Sequence, residues 1–509
     1  MIDNWIAGFH AAMEPMSLLM IVVGVLAGIV IGALPGLTAV MGVAILLPFT
    51  FAMDPLPGMM MMAGLYTSAI YAGSIPAILM RVPGTPSSAA SLLDGYPMAR
   101  KGKSGEALSI SLLSSVIGGL FGGILLALFA PMLAAVALMI SQGQYFMLIF
   151  LALTMIASIS EGSLLKGLLS GLLGLLIATI GTDPLTGTAR LTFGIDDLRG
   201  GMDFIPVLIG LFGIAEAFNQ FERRFRTDAE SISKATSYKI SKKSFKRMWP
   251  GVAIGSPIGF LIGALPGGTG GEVGSFISYN ETRRISKDKS QFGKGDPRGL
   301  AAAETGHNSA VPGTLAPTLT MGIPGNSVAA VMIGVLTVHG LQPGPQLFTG
   351  EVSLVYGIFW GFLLVPIAVG IIGLVGIRGW GQILRIPPPL LWPGIVVMCG
   401  VGAYTIRSSV VDVFVMFLFG IIGWVMEKKN VPTIPLVIGL LVGPIAESGF
   451  RRATILEQGG FGWIFDPLTL GLLIVALLSI IVSVVRSTKL SKAAEKLEVE
   501  ETKTDIEAR

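Results

Sequence analysis

The chain has 509 residues, of which 52% are apolar and 13% are charged. Because soluble domains carry about 25% charged residues, this composition excludes an ordinary soluble protein and predicts an all-α, polytopic integral membrane protein. The formal net charge is only +4. The Lys and Arg residues gather in a few loops, which is typical of membrane topology and argues against nucleic-acid binding.

The first long apolar stretch, residues 18–34, ends in a proline–glycine pair. The motif reads Gly32-Ala33-Leu34-Pro35-Gly36-Leu37-Thr38, and residues 39–51 form the next apolar stretch. Proline removes a backbone donor and glycine adopts conformations that other residues avoid, so the motif predicts a broken or re-entrant helix. Residues 1–16 contain no Lys or Arg, which predicts that the N-terminus lies outside.

A second interruption follows the span at residues 59–80. It reads Arg81-Val82-Pro83-Gly84-Thr85-Pro86-Ser87-Ser88, and the basic loop after it, residues 96–103, is predicted to be cytoplasmic. Further spans lead to residues 182–201, an acidic loop that we predict to lie outside. Residues 223–247 are rich in Lys and Arg and predict a cytoplasmic linker between two halves.

The second half repeats these features. Gly263-Ala264-Leu265-Pro266-Gly267-Gly268-Thr269 repeats the first motif 231 residues later (263 − 32), and Gly322-Ile323-Pro324-Gly325-Asn326-Ser327 repeats the second with an offset of 241 (324 − 83). Loops after equivalent breaks alternate in basic content, which predicts two repeats of inverted topology related by a pseudo-two-fold axis. Arg451-Arg452 disagrees with this scheme, which puts the pair outside.

These features predict five segments along the chain. They are the first membrane repeat (1–222), a basic cytoplasmic linker (223–248), the second, inverted repeat (249–450), a loop with an extra transmembrane helix (451–488) and a cytoplasmic tail (489–509). Interrupted helices at equivalent positions of two halves are the sequence feature that points to the binding site of a secondary transporter.

The two Gly-Ala-Leu-Pro-Gly motifs resemble those of the large transmembrane subunit of the tripartite tricarboxylate transporter family. So do Val82-Pro83-Gly84-Thr85-Pro86, Asp94-Gly95-Tyr96-Pro97-Met98-Ala99 and Gly340-Leu341-Gln342-Pro343-Gly344-Pro345, and the resemblance runs from about residue 18 to residue 447. It implies a subunit of the bacterial inner membrane that works with a small membrane subunit and a periplasmic solute-binding protein. It also implies carboxylate uptake driven by an ion gradient.

We therefore interpret the chain as the permease of a binding-protein-dependent symporter for di- and tricarboxylates, with a periplasmic N-terminus and a cytoplasmic C-terminus. Sodium or a proton is the expected co-substrate, and no other cofactor or metal is expected. No nucleotide phosphate loop, metal-ligand spacing or catalytic triad can be picked out, so we do not expect an enzyme. Two alternatives stay open: an organic-anion transporter that needs no binding protein, and a channel.

The four interruptions form the candidate substrate site, because helix N-termini offer unpaired N–H groups and a positive dipole end to a carboxylate. The candidates are Gly36, Thr38, Thr85, Ser87, Ser88, Gly267, Gly268, Thr269, Asn326, Ser327 and Arg81. The alternative at each interruption is a structural kink with a capping hydroxyl. For Arg81, whose guanidinium suits a carboxylate, the alternative is a topology anchor at the cytoplasmic edge.

Four further residues are candidates for ion coupling, because ionisable groups within the membrane are costly and usually functional. They are Glu272, Glu304, His307 and Asn308. Glu304 and His307 are three residues apart and share one face of a helix. The alternatives are a helix cap outside the membrane for this pair and a structural ion pair for Glu272. Tyr66 and other tyrosines are expected to be packing residues.

Overall fold

The computed structural model describes residues 2–481 except 35, 160–163, 184–185, 223–236, 266–269 and 386–387. In these residues the regular structure is helical apart from one antiparallel strand pair, β1 (Gly181–Thr182) and β2 (Ala189–Arg190). The helices are α1 (Ile2–Ala12), α2 (Pro15–Ala33), α3 (Ala39–Leu46), α4 (Pro55–Ala72), α5 (Ser74–Met80), α6 (Ala89–Met98), α7 (Ser104–Ala137), α8 (Gln142–Ile159), α9 (Leu164–Ala178), α10 (Phe204–Leu208), α11 (Ala215–Glu222), α12 (Lys242–Ala264), α13 (Gly270–Ile285), α14 (Pro297–Met321), α15 (Ser327–Val338), α16 (Leu347–Gly350), α17 (Val352–Gly376), α18 (Pro388–Arg407), α19 (Val410–Lys428), α20 (Ile434–Leu456) and α21 (Pro467–Ile481).

Within the described part of the chain, seven helices are long and apolar enough to cross a membrane. They confirm the predicted class, an all-α multi-pass membrane protein. Helices α12 and α14, with 23 and 25 residues, are not among the seven. The reason is their composition, since Lys and Arg open α12 and buried polar residues fill the middle of α14.

Each predicted interruption lies between two helices. We name them break 1 (between α2 and α3), break 2 (between α5 and α6), break 3 (between α12 and α13) and break 4 (between α14 and α15). Pro35 of break 1 and residues 266–269 of break 3 lie outside the described residues. The predicted site residues Gly267, Gly268 and Thr269 are therefore not placed.

The chain forms two compact units, each built from segments of both predicted repeats. Unit 1 contains residues 1–139 and 203–425, and unit 2 contains residues 140–202 and 426–509. This division is not the predicted division into repeats, which stays a prediction. Two predicted boundaries, after residues 248 and 450, fall inside α12 and α20, because both helices continue past their apolar stretches into basic turns.

Glycines spaced four residues apart bring α2 of unit 1 into backbone contact with α4. A methyl group on Gly24, Gly28 or Gly32 would lie 2.0–2.3 Å from a backbone carbonyl oxygen of α4, those of Met61, Leu65 and Ala69 respectively. Only glycine permits this approach, which is the usual way that helices pack within membranes.

The pair α12 and α14 repeats this packing at equivalent positions. Gly255, Gly259 and Gly263 follow the glycines of α2 by 231 residues (255 − 24), and each would clash with a carbonyl oxygen of α14 if it carried a methyl group. Those carbonyls belong to Ala302, Gly306 and Ala310, which follow the contact residues of α4 by 241 (302 − 61). The two sequence offsets thus recur as equivalent three-dimensional contacts, which supports the repeat prediction.

A buried acidic group connects α6 of unit 1 to the loop before α14. Asp94 accepts hydrogen bonds from the backbone N–H groups of Gly295 (2.7 Å) and Asp296 (2.8 Å). Asp296 in turn pairs with Arg298 (2.5 Å) and Arg247 (2.8 Å). Burial raises the pKa of Asp296, but the hydrogen bonds and charges of these arginines outweigh burial and hold the pKa below its ordinary value.

In unit 2, α9 packs on α20 through glycine, and the β1–β2 hairpin is tied to α20 by charges. A methyl group on Gly174 would lie 2.0 Å from the carbonyl oxygen of Leu436. Arg190 donates to Glu447 (2.7 Å), and Arg451 pairs with Asp183 (2.9 Å) and with Glu447 (2.6 Å). Arg451 therefore lies on the same side as the acidic loop at residues 182–201, which is what the topology prediction requires.

The glycine contacts predict a position-dependent effect of added volume. We expect Gly259→Val to destabilise the protein by at least about 1–3 kcal/mol, the usual range for overpacking, because its Cβ would lie 2.0 Å from the carbonyl oxygen of Gly306. Thermal unfolding of the detergent-purified protein measures the effect. Gly400→Val is the matched control, since open space surrounds that position on α18; equal melting temperatures for the two variants would contradict the packing described here.

Candidate ion and substrate site

The candidate site lies within unit 1, where the helices that follow the breaks pack in two pairs. Helix α3, after break 1, packs against α15, after break 4. Helix α13, after break 3, packs against the 3₁₀ turn Pro86–Ser88, which belongs to break 2. There a methyl group on Gly271 would lie 3.5 Å from the Cβ of Ser87. Each pair joins one helix from the first predicted repeat to one from the second.

Break 2 is held by close backbone contact and by its own hydroxyl groups. Gly84 donates its N–H to the carbonyl of Gly73 (3.0 Å), and a methyl group on Gly84 would lie 2.4 Å from the carbonyl oxygen of Gly32. The Ser88 hydroxyl donates to the Thr85 carbonyl (2.7 Å) and accepts from the Thr85 N–H (3.3 Å). Thr85 and Ser88 therefore cap the restarting helix, the structural role that the sequence left open for them.

Break 4 presents Asn326, which joins a helix cap to a buried tyrosine. Its Oδ1 accepts from the N–H of Ala329 (2.8 Å), and its Nδ2 donates to the hydroxyl of Tyr66 (2.6 Å). Tyr66 lies in α4 and is 2% exposed. The tyrosine that was expected to serve packing alone thus belongs to the polar site. Ser327 is the half-buried first residue of α15.

Arg81 ends α5 in a left-handed conformation with φ 61° and ψ 20°. Its repeat equivalent is Gly322 (322 − 81 = 241), which ends α14 with φ 64° and ψ 18°. Non-glycine residues adopt this conformation at a cost of roughly 1–2 kcal/mol, so an arginine here is strained where glycine would not be. Arg81 is exposed, and its guanidinium carbon lies 5.9 Å from the ring centre of Tyr96.

Glu304, His307 and Asn308 form a completely buried polar group on α14. The Nε2 of His307 lies 3.0 Å from Oε2 of Glu304, and its Nδ1 lies 3.2 Å from the carbonyl oxygen of Ser87 in break 2. Ser115 of α7 donates to Oε2 of Glu304 (2.9 Å) and accepts from Nδ2 of Asn308 (2.9 Å). Asp296, not this pair, caps the start of α14, so the helix-cap alternative for Glu304 and His307 is wrong.

Several oxygens around this group lack hydrogen bonds among the described residues. They include Oε1 of Glu304 and Oδ1 of Asn308, together with the hydroxyls of Tyr71, Ser74 and Ser91. Ser74 and Ser91 face the Glu304 carboxylate without completing a hydrogen bond to it. Buried polar atoms are nearly always satisfied, so this cluster of unsatisfied oxygens makes the group a candidate binding or proton-exchange site.

The remaining candidates lie at the starts of α3 and α13. Thr38 caps α3 by accepting from the N–H of Met41 (3.3 Å). Gly36 has φ 93°, and a methyl group there would lie 2.7 Å from Nε2 of Gln220. Glu272, in the first turn of α13, is half-buried and acts electrostatically on Tyr66.

The sequence missed two members of the site, Tyr66 and Ser115. The signal for Tyr66 was the unusually polar composition of residues 66–74. Its partner Asn326 is 260 residues away, and Ser115 is 189 residues from Glu304. Contacts at such separations leave no mark in local patterns, so no sequence signal identified Ser115.

Known proteins are similar to this chain over most of its length. Residues 18–438 match the model of the tripartite tricarboxylate transporter TctA family. The chain is 36% identical to an uncharacterized 52.8 kDa protein of the TAR-I ttuC′ 3′ region of Agrobacterium vitis, over 98% of this chain and 99% of that one. It is 33% identical to an uncharacterized protein of the TAR-II ttuC′ 3′ region of the same organism, over 44% of this chain and 92% of that one.

No solved structure is significantly similar to this chain. The family match nevertheless spans most of its length, and the alignment with the 52.8 kDa protein covers nearly all of both chains. The described helices are those of a multi-pass membrane protein. The chain therefore belongs to the tripartite tricarboxylate transporter TctA family.

Proposed function

We propose that this chain is the permease subunit of a secondary transporter that imports di- or tricarboxylates by cation symport and receives them from a solute-binding protein. Family membership supports a transport role. The observation that carries the finer proposal is the buried Glu304–His307 pair, which contacts the Ser87 carbonyl at the tip of break 2. Because this ionisable pair contacts an interrupted helix, ion binding at the pair can influence substrate binding at the break.

The substrate side of this proposal is formed by the helix starts after breaks 3 and 4. Helices α13 and α15 have 16 and 12 residues, long enough for their N-termini to favour a bound anion. Tyr66 and Asn326 add a hydroxyl and an amide at the start of α15. The side chain of Asn326 already caps α15 and donates to Tyr66. We therefore expect the carboxylate to accept hydrogen bonds from the Asn326 amide and the Tyr66 hydroxyl while these two groups stay in contact.

We further propose a bacterial inner-membrane location, with a periplasmic N-terminus and a cytoplasmic C-terminus. The pairing of Arg451 with Asp183 supports this orientation. Arg451 and Arg452 are the positive charges that disagree with the predicted topology, and Asp183 of the acidic loop compensates the charge of Arg451. The same loop, residues 182–201, is our proposed docking surface for the periplasmic protein. A small membrane subunit completes the assembly.

Uptake by proteoliposomes tests the proposed function. The vesicles contain this chain and its small membrane partner, and they receive labelled di- or tricarboxylate with or without the binding protein, under an imposed sodium or proton gradient. We expect accumulation only when the binding protein and one gradient are both present. Gradient-driven uptake without the binding protein would favour an independent organic-anion transporter, and downhill flux with neither would favour a channel.

Two variants of Asn326 distinguish a role in substrate binding from a role in helix capping. We expect Asn326→Ala to raise the apparent KM for the carboxylate and to lower stability by about 1 kcal/mol, the usual cost of a lost N-cap. Asn326→Ser keeps a capping oxygen but lacks the amide donor to Tyr66, so we expect it to raise KM with little loss of stability. If Asn326→Ser has the KM of the unchanged protein, Asn326 is a cap only.

Arg81 is tested by replacing it with the residue at its repeat equivalent. We expect Arg81→Gly to leave stability unchanged or to raise it by about 1 kcal/mol, because the left-handed conformation no longer carries a side chain. Transport is expected to fall, since the cation beside break 2 is lost. Arg81→Lys is the control that keeps the charge. Full transport by Arg81→Gly at normal membrane abundance would leave Arg81 without a role in transport.

A further inference from the structure

We propose that Glu304 and His307 together hold the coupling proton, and that the equivalent positions of the first predicted repeat hold no second site of this kind. The inference rests on the proposed transport function, which it deepens by naming the ion. Both side chains are completely buried, and the two are joined at 3.0 Å. Apart from this pair, α14 carries no ionisable side chain between Arg298 and its C-terminal end.

Hydrogen-bond counting requires an extra proton on the pair. Nδ1 of His307 faces the carbonyl oxygen of Ser87, which only accepts hydrogen bonds, so Nδ1 carries a hydrogen. Nε2 faces Oε2 of Glu304. A second proton must lie in that contact, either on Nε2 or on the carboxyl group, because two acceptors at 3.0 Å would repel. The described geometry is therefore the protonated, electrically neutral state of the pair.

Donor–acceptor geometry and charge together favour a proton over sodium at this place. A sodium ion in place of the proton would leave Nε2 and Oε2 as two acceptors at 3.0 Å, and a sodium ion added to the protonated pair would leave a buried net positive charge. Loss of the proton leaves a net negative charge close to Ser74 and Ser91, whose hydroxyls have no other partners among the described residues. These hydroxyls are positioned to donate to the carboxylate when it is ionised.

The helices packed against α14 bring few other titratable groups to the pair. Tyr71 of α4 faces Glu304, and α7 contributes the hydroxyl of Ser115. Helix α12 presents glycines at its contacts with α14. From α13, Gly271 lies near His307 and is followed by Glu272, which acts on Tyr66. Helix α6 adds a second carboxylate, Asp94, since a methyl group on Gly299, five residues before Glu304, would lie 2.1 Å from Oδ2 of Asp94.

Contact with Ser87 connects the proton to the substrate site. The carbonyl that accepts from Nδ1 belongs to the turn Pro86–Ser88, against which the start of α13 packs. Movement of this turn when a carboxylate binds or leaves changes the partner of Nδ1, and with it the ability of the ring to hold two hydrogens. Substrate and proton then stabilise one another, as coupling requires.

The first repeat carries no second copy of the pair. With the offset of 241, Ala63, Tyr66 and Thr67 occupy the positions equivalent to Glu304, His307 and Asn308. The contacts of the two positions differ in kind, since Tyr66 accepts from the side-chain amide of Asn326 in break 4, whereas His307 contacts the backbone carbonyl of Ser87 in break 2. The same scaffold thus holds a titratable pair on one side and a neutral pair on the other, which implies one coupled proton.

The experiment uses the complete transporter in proteoliposomes with the membrane potential held at zero. A gradient of one pH unit should drive about tenfold accumulation of the labelled carboxylate, the ratio for one proton, and a sodium gradient should drive none. We expect Glu304→Gln to abolish accumulation while it retains exchange of labelled for unlabelled carboxylate at equal concentrations, because exchange needs no release of the proton. His307→Gln is the second variant, with the same expectation.

Glu281→Gln is the matched control, since Glu281 pairs with the exposed Arg284 on the cytoplasmic turn of α13; it should accumulate substrate normally. Accumulation by Glu304→Gln under the proton gradient would overturn the inference, and so would accumulation driven by sodium alone. About hundredfold accumulation per pH unit would overturn the single site. In each of these cases the proposed transport function still stands, whereas absence of gradient-driven uptake by the unchanged protein would end both proposals.

Discussion

The structure depends on one constraint, which is that backbone groups freed by a broken helix need partners where water is scarce. Breaks 2 and 4 meet it in the same way. The N–H of Val82 donates to the carbonyl of Pro76, and the N–H of Ile323 donates to that of Pro317, each at 3.4 Å. Close approach to neighbouring helices supplies the rest, and glycine makes that approach possible. The backbone at the breaks is therefore hydrogen-bonded even though the sites are polar. Among the described residues, several of the buried oxygens that lack hydrogen bonds belong to Glu304 or face it.

The fold class and the breaks could be predicted because their causes are local. Composition indicates membrane helices, and Pro–Gly pairs end helices wherever they occur. The three-residue spacing of Glu304 and His307 likewise predicted that both lie on one face of a helix. What could not be predicted is which helix faces which, since the contacts of Tyr66 with Asn326 and of Ser115 with Glu304 join residues 260 and 189 positions apart. The sequence assigns Tyr66 to packing because an aromatic residue in an apolar helix usually has that role.

The charges at residues 451–452 illustrate the same limit. The topology prediction puts these two arginines on the outer side, where a membrane protein is expected to carry few Lys and Arg residues. In unit 2, Arg451 is surrounded by Asp183 and Glu447, and Arg190 joins the same group. The two carboxylates therefore compensate much of the positive charge at residues 451–452. The positive-inside rule counts Lys and Arg in each loop. It does not include a carboxylate such as Asp183, which pairs with Arg451 from 268 residues away.

The two predicted repeats share packing contacts but differ in the chemistry of their side chains. The glycine contacts of α2 with α4 and of α12 with α14 are matched position by position, so the backbone is under similar constraints in both. The side chains within the paired helices are not matched, since Glu304 and His307 of α14 occupy the positions at which α4 has Ala63 and Tyr66. A symmetric transporter could bind an ion on either side, and its coupling would then be ambiguous. Because the ionisable pair is restricted to one side, our proposal gives each half a separate role, with ion exchange at α14 and hydrogen bonding through Tyr66 at the start of α15.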